Sequence, residues 1–327
     1  MFMKTLTAVA AFALGAQAAL AEDLKLADFQ PPTHFVVEKV YKPFAETIAE
    51  KTGGAVTVTE YMGGELGPGP REQYNRTVEG VTDIAFGLPG YTAANFPTTL
   101  LTELPGVIDA ETGTQAVQDN IDILSNEYRR VALIGLWNNA PNMLFMAEKP
   151  VNTLEDLQGL KIRVPSRNAG LVVEAWGATP VSMPAPEIYN AMQTGVIDGA
   201  MIDATTLKSF KLAEVTNHIT TGMATTISSF FMIMNRDSFG NLTEEQQQIV
   251  KDAGRDASLA ANQAWLSVAE SALADFAATE GKAVITLSAE EAAKFDAASA
   301  PVVAKAIADA DAEGLPATAY VNALKGN

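Results

Sequence analysis

Residues 243–281 constrain this chain most. They run through alanine-rich helix formers, begin with the capping-box pair Thr243 and Gln246, and contain Gly254 as the one glycine before Gly281. Unbroken, such a helix is ~55 Å long at 1.5 Å per residue, more than a domain of ~150 residues needs, so it is expected to lie across two domains. The alternative is two helices broken near Gly254 or Ser271, although a mid-helix glycine costs only ~1 kcal/mol. Length agrees with two domains, because 327 residues, 48% of them hydrophobic, exceed what one core of about 250–300 residues holds.

The rest of the chain alternates strands and helices. Residues 24–27 alternate like a strand, and apolar residues then recur at helical spacing (Phe35, Val36, Val40, Phe44, Ile48) until Gly53-Gly54. Residues 55–59 read as a second strand, 72–80 as a helix and 83–86 as a short strand. The turn Leu88-Pro89-Gly90-Tyr91 follows at a strand's carboxyl end, where open α/β sheets bind ligands. A second block begins near Pro150, with helices expected over 153–158, 169–176 and 186–194 and strands over 160–164 and 196–199. The chain is therefore α/β. No repeat relates the blocks and no low-complexity linker separates them, so crossing strands are expected to join the domains. Ser288 and Glu291 form a further capping pair, opening a tail expected to consist of short helices punctuated by Pro301 and Pro316.

Charge and cysteine usage exclude several functions. The chain carries 39 acidic and 22 basic residues, a formal net charge of −17. It has no basic run, which argues against nucleic acid as a partner. It has no cysteine, hence no disulfide, thiolate nucleophile or cysteine-bound metal. Lys4, the apolar stretch 6–14 and the small-x-small site Ala19-Leu20-Ala21 read as a signal peptide over residues 1–21, the alternative being an uncleaved anchor. No later segment offers the ~20 charge-free apolar residues of a transmembrane helix. An exported, soluble, acidic protein is expected.

Motifs for catalysis and metals are missing. There is no G-x-S-x-G elbow, H-E-x-x-H, EF-hand loop or Walker loop, and the prolines of Gly67-Pro68-Gly69-Pro70 delete the amide donors a phosphate loop needs. His34 and His218 have no partner at ligand spacing, so no metal and no cofactor are expected. Asp198 and Asp203 suit turn capping better than acid/base work. Arg163 stands apart: in Lys161-Ile162-Arg163-Val164-Pro165 it alternates away from Ile162 and Val164, and its planar fork suits a carboxylate. That carboxylate is either a ligand's or an internal one such as Glu187, and periodicity does not decide between them.

The runs Leu154-Glu155-Asp156-Leu157-Gln158-Gly159-Leu160-Lys161-Ile162-Arg163-Val164-Pro165, Gly177-Ala178-Thr179-Pro180-Val181-Ser182-Met183 and Glu187-Ile188-Tyr189-Asn190-Ala191-Met192-Gln193-Thr194-Gly195-Val196-Ile197-Asp198-Gly199 resemble the substrate-binding proteins of TRAP (tripartite ATP-independent periplasmic) transporters, DctP type. Glu50 to Gly54, Gly64 to Gly67 and Phe210 to Val215 extend the resemblance over essentially the whole chain after residue 21. It implies a two-domain periplasmic binding protein clamp, type II-like, with a long helix spanning both domains. The expected division is 22–140 plus 229–266 and 141–228 plus 267–327. The implied function is capture of a small organic acid by hinge closure and delivery to TRAP permease membrane subunits, without catalysis. Arg163 takes the family's carboxylate-anchoring role.

Departures from the family narrow the ligand. No second arginine occurs in residues 138–145, Ala200-Met201-Ile202 replaces the usual polar cluster, and Leu88, Pro89 and Tyr91 occupy a turn where some members are acidic. One cationic anchor among apolar walls suits a monocarboxylate with an apolar or aromatic body. Arg163, Met183, Tyr91, Leu88, Asn142, Met143, Trp137, Asp203, Gln30 and His34 are the expected contacts; Phe86 is assigned to the core and His218 to structure. A dicarboxylate or sugar acid is the alternative ligand, with Lys161 or Lys208 swinging inward, and a sensing role beside a receptor is the alternative function. The short, proline-broken tail points to a monomer.

Overall fold

The computed structural model describes residues 21–326. The signal-peptide reading of 1–21 therefore lies, but for Ala21, outside the described residues. In chain order the strands are β1 (Glu22–Ala27), β2 (Val56–Tyr61), β3 (Ile84–Gly87), β4 (Val131–Asn138), β5 (Met143–Met146), β6 (Lys161–Val164), β7 (Thr179–Ser182), β8 (Gly199–Ile202), β9 (His218–Thr221), β10 (Ser229–Asn235) and β11 (Ala283–Thr286). They form two sheets, ordered β2-β1-β3-β10-β4 and β11-β9-β5-β8-β6-β7. Most neighbours are parallel, but β10 runs antiparallel to β3 and β4, and β5 antiparallel to β8 and β9. These are the strands next to the points where the chain changes sheet.

The chain crosses between sheets after Asn138 and again before Ser229. The two connections pair with each other: the Asn139 amide donates to Ser228 O at 3.0 Å and the Asn142 amide to Thr226 O at 3.1 Å. A third crossing is the long helix Glu244–Ala277, unbroken for 34 residues and so ~51 Å long. Its capping box is formed as the sequence indicates, with Thr243 and Gln246 bonded reciprocally. Val250, Ala253, Ala257, Ala261 and Trp265 pack into the first sheet's core with Val36, Phe44 and Trp137. Ala269, Ala272 and Phe276 pack into the second's with Phe145 and Ile202. Trp265 is thus the last large side chain before the helix changes partner.

Gly254 does not break this helix because it is a contact point. A Cβ there would lie 1.8 Å from Ile134 O on β4, so only glycine lets the helix approach so closely. One turn on, the Ser258 hydroxyl donates to Gly254 O at 2.7 Å and accepts the Leu136 amide at 3.0 Å, fastening the helix to the strand.

Two local expectations are corrected. The strand expected over 196–199 begins only at Gly199, because Asp198 turns back to accept the Lys161 amide at 2.7 Å and Val196 stays half exposed. The tail is not a set of short helices: Ala289–Ala312 is one 24-residue helix with Pro301 inside it. Pro301 lies on the solvent face, and Phe295 and Ser299 anchor the preceding turns by accepting the Trp176 indole N–H at 3.1 and 2.8 Å. That packing outweighs the cost of an interior proline. Ala310, Ala317, Tyr320, Val321 and Leu324 then pack with Phe96, Val131 and Phe231 of the first sheet's layer, so the tail's end leaves the second sheet.

Candidate functional site

Between the sheets lies a cleft with about 440 Å³ of space unfilled by protein atoms, part of it open to solvent. Phe29, Phe86, Phe230, Trp265 and Phe210 give it aromatic walls, with Leu88, Pro165, Ala185 and Ile202 completing the apolar surface. Polar groups come from Gln30, His34, Tyr91, Asn139, Arg163, Asp203, Thr205, Thr206 and Ser228. Both sheets and the crossing helix contribute, so the cavity exists only while the two halves are in contact.

Arg163 reaches it from β6. Ile162 and Val164 join the core behind the strand while Arg163, on the opposite side, remains only 2% exposed. Its Nε donates to Met183 O at 2.9 Å, Nη1 to Met201 O at 3.4 Å and Nη2 to the Tyr91 hydroxyl at 3.5 Å. Two of these are long, so the five donors of the fork are far from saturated. Among the described residues no carboxylate oxygen lies within 4.0 Å of it. Glu187, the internal partner the sequence leaves open, is exposed. Burial lowers the guanidinium pKa, and Tyr91, Asp203 and Glu103 oppose that shift. The group stays charged from its high starting point, and a buried charge without a counter-ion favours an anion from outside.

Four other expected residues share the wall with Arg163 and Leu88. The Tyr91 hydroxyl accepts from the Ala185 amide at 2.9 Å and lies next to Arg163, so its own proton is left to donate. Burial raises its pKa, against the nearby Arg163 charge. Asp203 accepts the Thr205 amide and hydroxyl on Oδ1 and Asn139 Nδ2 on Oδ2. Burial raises its pKa and these bonds oppose the rise. Gln30 and His34 enter from the loop after β1. Asp198 is occupied by the Lys161 amide and does not line the cavity.

The remaining four expected contacts do not line the cavity, whereas Phe86, in the first sheet's core as assigned, lines it as well. Trp137 stands one layer behind, its ring 5.7 Å from Phe86 and 6.0 Å from Trp265. Met183 offers Arg163 its backbone oxygen, while its side chain packs in the second sheet's core. Met143 packs at the edge of that core. Asn142 joins the crossings, donating to Thr226 Oγ1 at 2.9 Å and accepting from Asn139 at 3.1 Å. Sequence reasoning missed Phe29, Asn139, Phe210, Phe230 and Trp265. Trp265 carried a signal, as the one tryptophan midway along a helix expected to bridge two domains.

Among the described residues no three His, Cys, Asp or Glu side chains gather as a metal site, and no helix is long and apolar enough to cross a membrane.

Known proteins resemble this chain in sequence and fold. Over 214 residues the chain is 31% identical to the uncharacterized protein YiiZ of Salmonella typhimurium, an alignment covering 64% of this chain and 65%, just under two thirds, of YiiZ. A marine metagenome TRAP solute-binding protein specific for aromatic acid ligands, solved with metahydroxyphenylacetate, matches with a TM-score of 0.87 at 29% identity, covering 93% of this chain and 98% of that one. A TRAP periplasmic solute-binding protein from Bordetella bronchiseptica with bound (R)- and (S)-mandelate gives a TM-score of 0.85 at 28% identity, with 93% and 98% covered. Residues 26–309 match the model of bacterial extracellular solute-binding protein family 7, DctP, and the chain therefore belongs to that family.

Proposed function

We propose that this chain is the periplasmic solute-binding component of a TRAP transporter and that it closes on a small aromatic monocarboxylate for delivery to the permease. The observation that carries the reading is Arg163, a buried guanidinium without a carboxylate partner among the described residues, set in the wall of an aromatic-lined cavity. A ligand carboxylate completes the fork with charge-assisted hydrogen bonds in a site drier than the surface. Tyr91 adds a third donor, and Phe29, Phe86, Phe230 and Trp265 cover the ring. Two structurally similar relatives hold acids of this chemistry, hydroxyphenylacetate and mandelate.

In this reading residues 1–21 are removed on export. One lobe comprises 22–140 with 229–266, and the other 141–228 with 267–302; from Val303 the tail returns to the first. The paired segments 139–142 and 226–228 form the hinge. The protein acts as a monomer and binds its ligand without catalysis, as suits a member of a solute-binding family.

Thermal melting against aromatic monocarboxylates, dicarboxylates and sugar acids tests this, since a ligand that binds only the folded state stabilises it by RT ln(1 + [L]/Kd). Aromatic monocarboxylates are expected to give the large shifts. Arg163→Ala is expected to weaken their binding at least about a hundredfold, and Arg163→Lys to recover only part, because an ammonium cannot reproduce the fork. Undiminished affinity in Arg163→Ala overturns the anchor, and shifts with dicarboxylates or sugar acids alone overturn the ligand class.

A further inference from the structure

The loop after β1 holds two polar groups that Arg163 and Tyr91 leave unexplained. Asp28, fully buried, accepts the Gln30 amide at 2.9 Å, Gln30 Nε2 at 3.0 Å and the Tyr41 hydroxyl at 2.7 Å. A carboxylate only accepts, so it fixes which way the Gln30 amide points: nitrogen on Asp28, with Oε1 the remaining end. Among the described residues no donor reaches that oxygen, and Gln30 lines the cavity.

His34 is fixed by a parallel argument. Its Nδ1 accepts the Val36 amide at 3.2 Å. Burial holds the ring neutral, its pKa lowered to about 3. The single ring proton therefore sits on Nε2. The ring stacks on Phe35 at 4.4 Å and lies 5.7 Å from Trp265 and 6.4 Å from Phe210 across the cavity, which leaves it one orientation. No protein acceptor takes the Nε2 proton among the described residues, and His34 also lines the cavity.

One short loop thus presents a free acceptor, Gln30 Oε1, and a free donor, His34 Nε2–H. A continuous run of ring contacts links this pair to the anchor: Tyr91 to Phe29 at 6.2 Å, Phe29 to Phe86 at 5.7 Å, Phe86 to Phe230 at 5.4 Å, Phe230 to Trp265 at 5.0 Å and Trp265 to His34 at 5.7 Å. We infer that Gln30 and His34 form a second polar subsite that reads a hydroxyl group on the ring of the ligand, which makes a hydroxylated aromatic acid the preferred class.

A hydroxyl satisfies both groups at once, donating to Gln30 and accepting from His34. A second carboxylate leaves Gln30 Oε1 facing another acceptor, with the Asp28 carboxyl behind it, and an ammonium leaves His34 facing another donor. An unsubstituted ring removes water from both and replaces neither bond, the more costly kind of mismatch. Asp28 is a positioning residue here, acting on the ligand only through Gln30.

The inference rests on the aromatic-monocarboxylate reading above, and the test separates the two. Isothermal titration of the full chain with benzoate, 3- and 4-hydroxybenzoate, phenylacetate, 3- and 4-hydroxyphenylacetate and their methyl ethers is expected to show at least one hydroxy acid binding about ten- to a hundredfold tighter than its parent. Methylation, which removes the donated proton, should erase that gain. Gln30→Leu and His34→Phe should abolish the difference in affinity between the hydroxy acid and its parent. Hydroxy and parent acids of equal affinity in the unaltered protein, both lost in Arg163→Ala, overturn the subsite and leave the anchor standing. If no aromatic acid binds at all, the underlying reading falls and the subsite with it. The comparison within the unaltered protein decides the matter even if a variant fails to fold.

Discussion

Glu103 shows how one buried group ties the stability of the fold to pH. It ends the segment Thr99–Glu103 and is 1% exposed. Burial raises its pKa from 4.5 to about 7, while Ser166 and the Arg163 charge nearby offset part of the rise. The folded state therefore binds a proton more readily than the unfolded one, and this group's contribution to stability falls as pH rises from about 4.5 to about 7. Removing the charge with Glu103→Gln is expected to stabilise the protein at pH 8 relative to the parent, by up to about 3 kcal/mol for a shift of this size. The advantage should shrink below about 1 kcal/mol near pH 5 and vanish once the pH falls below 4.5. Urea melts of both proteins across that range measure the difference, in which the opposite contribution of His34, lost as pH falls below 6.5, cancels. A gap that stays constant with pH would show Glu103 to be ionised in the fold at all these pH values. Such a role was not legible in the sequence, because Glu103 becomes unusual only when the second sheet covers it. Strand alternation singled out Arg163 as one cation between two apolar neighbours but left its partner open, and its anchoring role came only with the resemblance to the family. Met183 and Trp137 were misplaced for a different reason: residue type does not say whether a backbone oxygen or a side chain faces the site, or which of two aromatic layers comes first.

At the level of elements, the long helix and β4 are joined by a contact that tolerates no added atom. A methyl group on Gly254 would collide with Ile134 O at 1.8 Å, a backbone atom with no rotamer to change. The helix must move outward, which stretches the Ser258 bonds to Leu136 and Gly254 and loosens the packing of Val250, Ala253 and Ala257. Gly254→Ala is expected to destabilise the fold by about 3 kcal/mol, at the upper end for overpacking. On an exposed helix face the same change would be stabilising by about 1 kcal/mol. Chemical denaturation gives the sign directly, and a stabilised variant would mean that the helix and strand stand farther apart than described. The helix itself was readable from sequence, since capping pair, composition and length agree. The reason for its glycine was not, because it depends on a strand more than a hundred residues away. The tail was misread because Pro301 is a local signal, whereas the anchoring of Phe295 and Ser299 to Trp176 is tertiary.

For the whole molecule, the proposed function depends on two halves meeting, and the seam between them has few polar ties. Asn168 Nδ2 donates to Leu100 O at 2.9 Å, the Ala185 amide donates to the Tyr91 hydroxyl, and Gly90 sits against Ser166, the N-cap of the helix Arg167–Ala175. A Cβ on Gly90 would lie 2.9 Å from Ser166 Cβ and 3.3 Å from Pro165 O. That clash exists only when the halves are in contact, and Gly90 has no positive φ to protect. Gly90→Ala should therefore leave the stability of the ligand-free protein unchanged or slightly raised, since alanine restricts the unfolded chain. Closure should carry the strain instead. An overpacking cost of 1–3 kcal/mol in the closed state alone corresponds to about 5- to 150-fold weaker binding. The ligand can drive closure only by the difference in its affinity for the two states, so the strain subtracts from that difference directly. Small-angle scattering at rising concentrations of an aromatic acid is expected to show the compaction of the parent reached in the variant only at correspondingly higher ligand. Compaction at the same ligand concentration in both proteins would mean that Gly90 and Ser166 do not meet on closing, and the seam would have to be sought elsewhere.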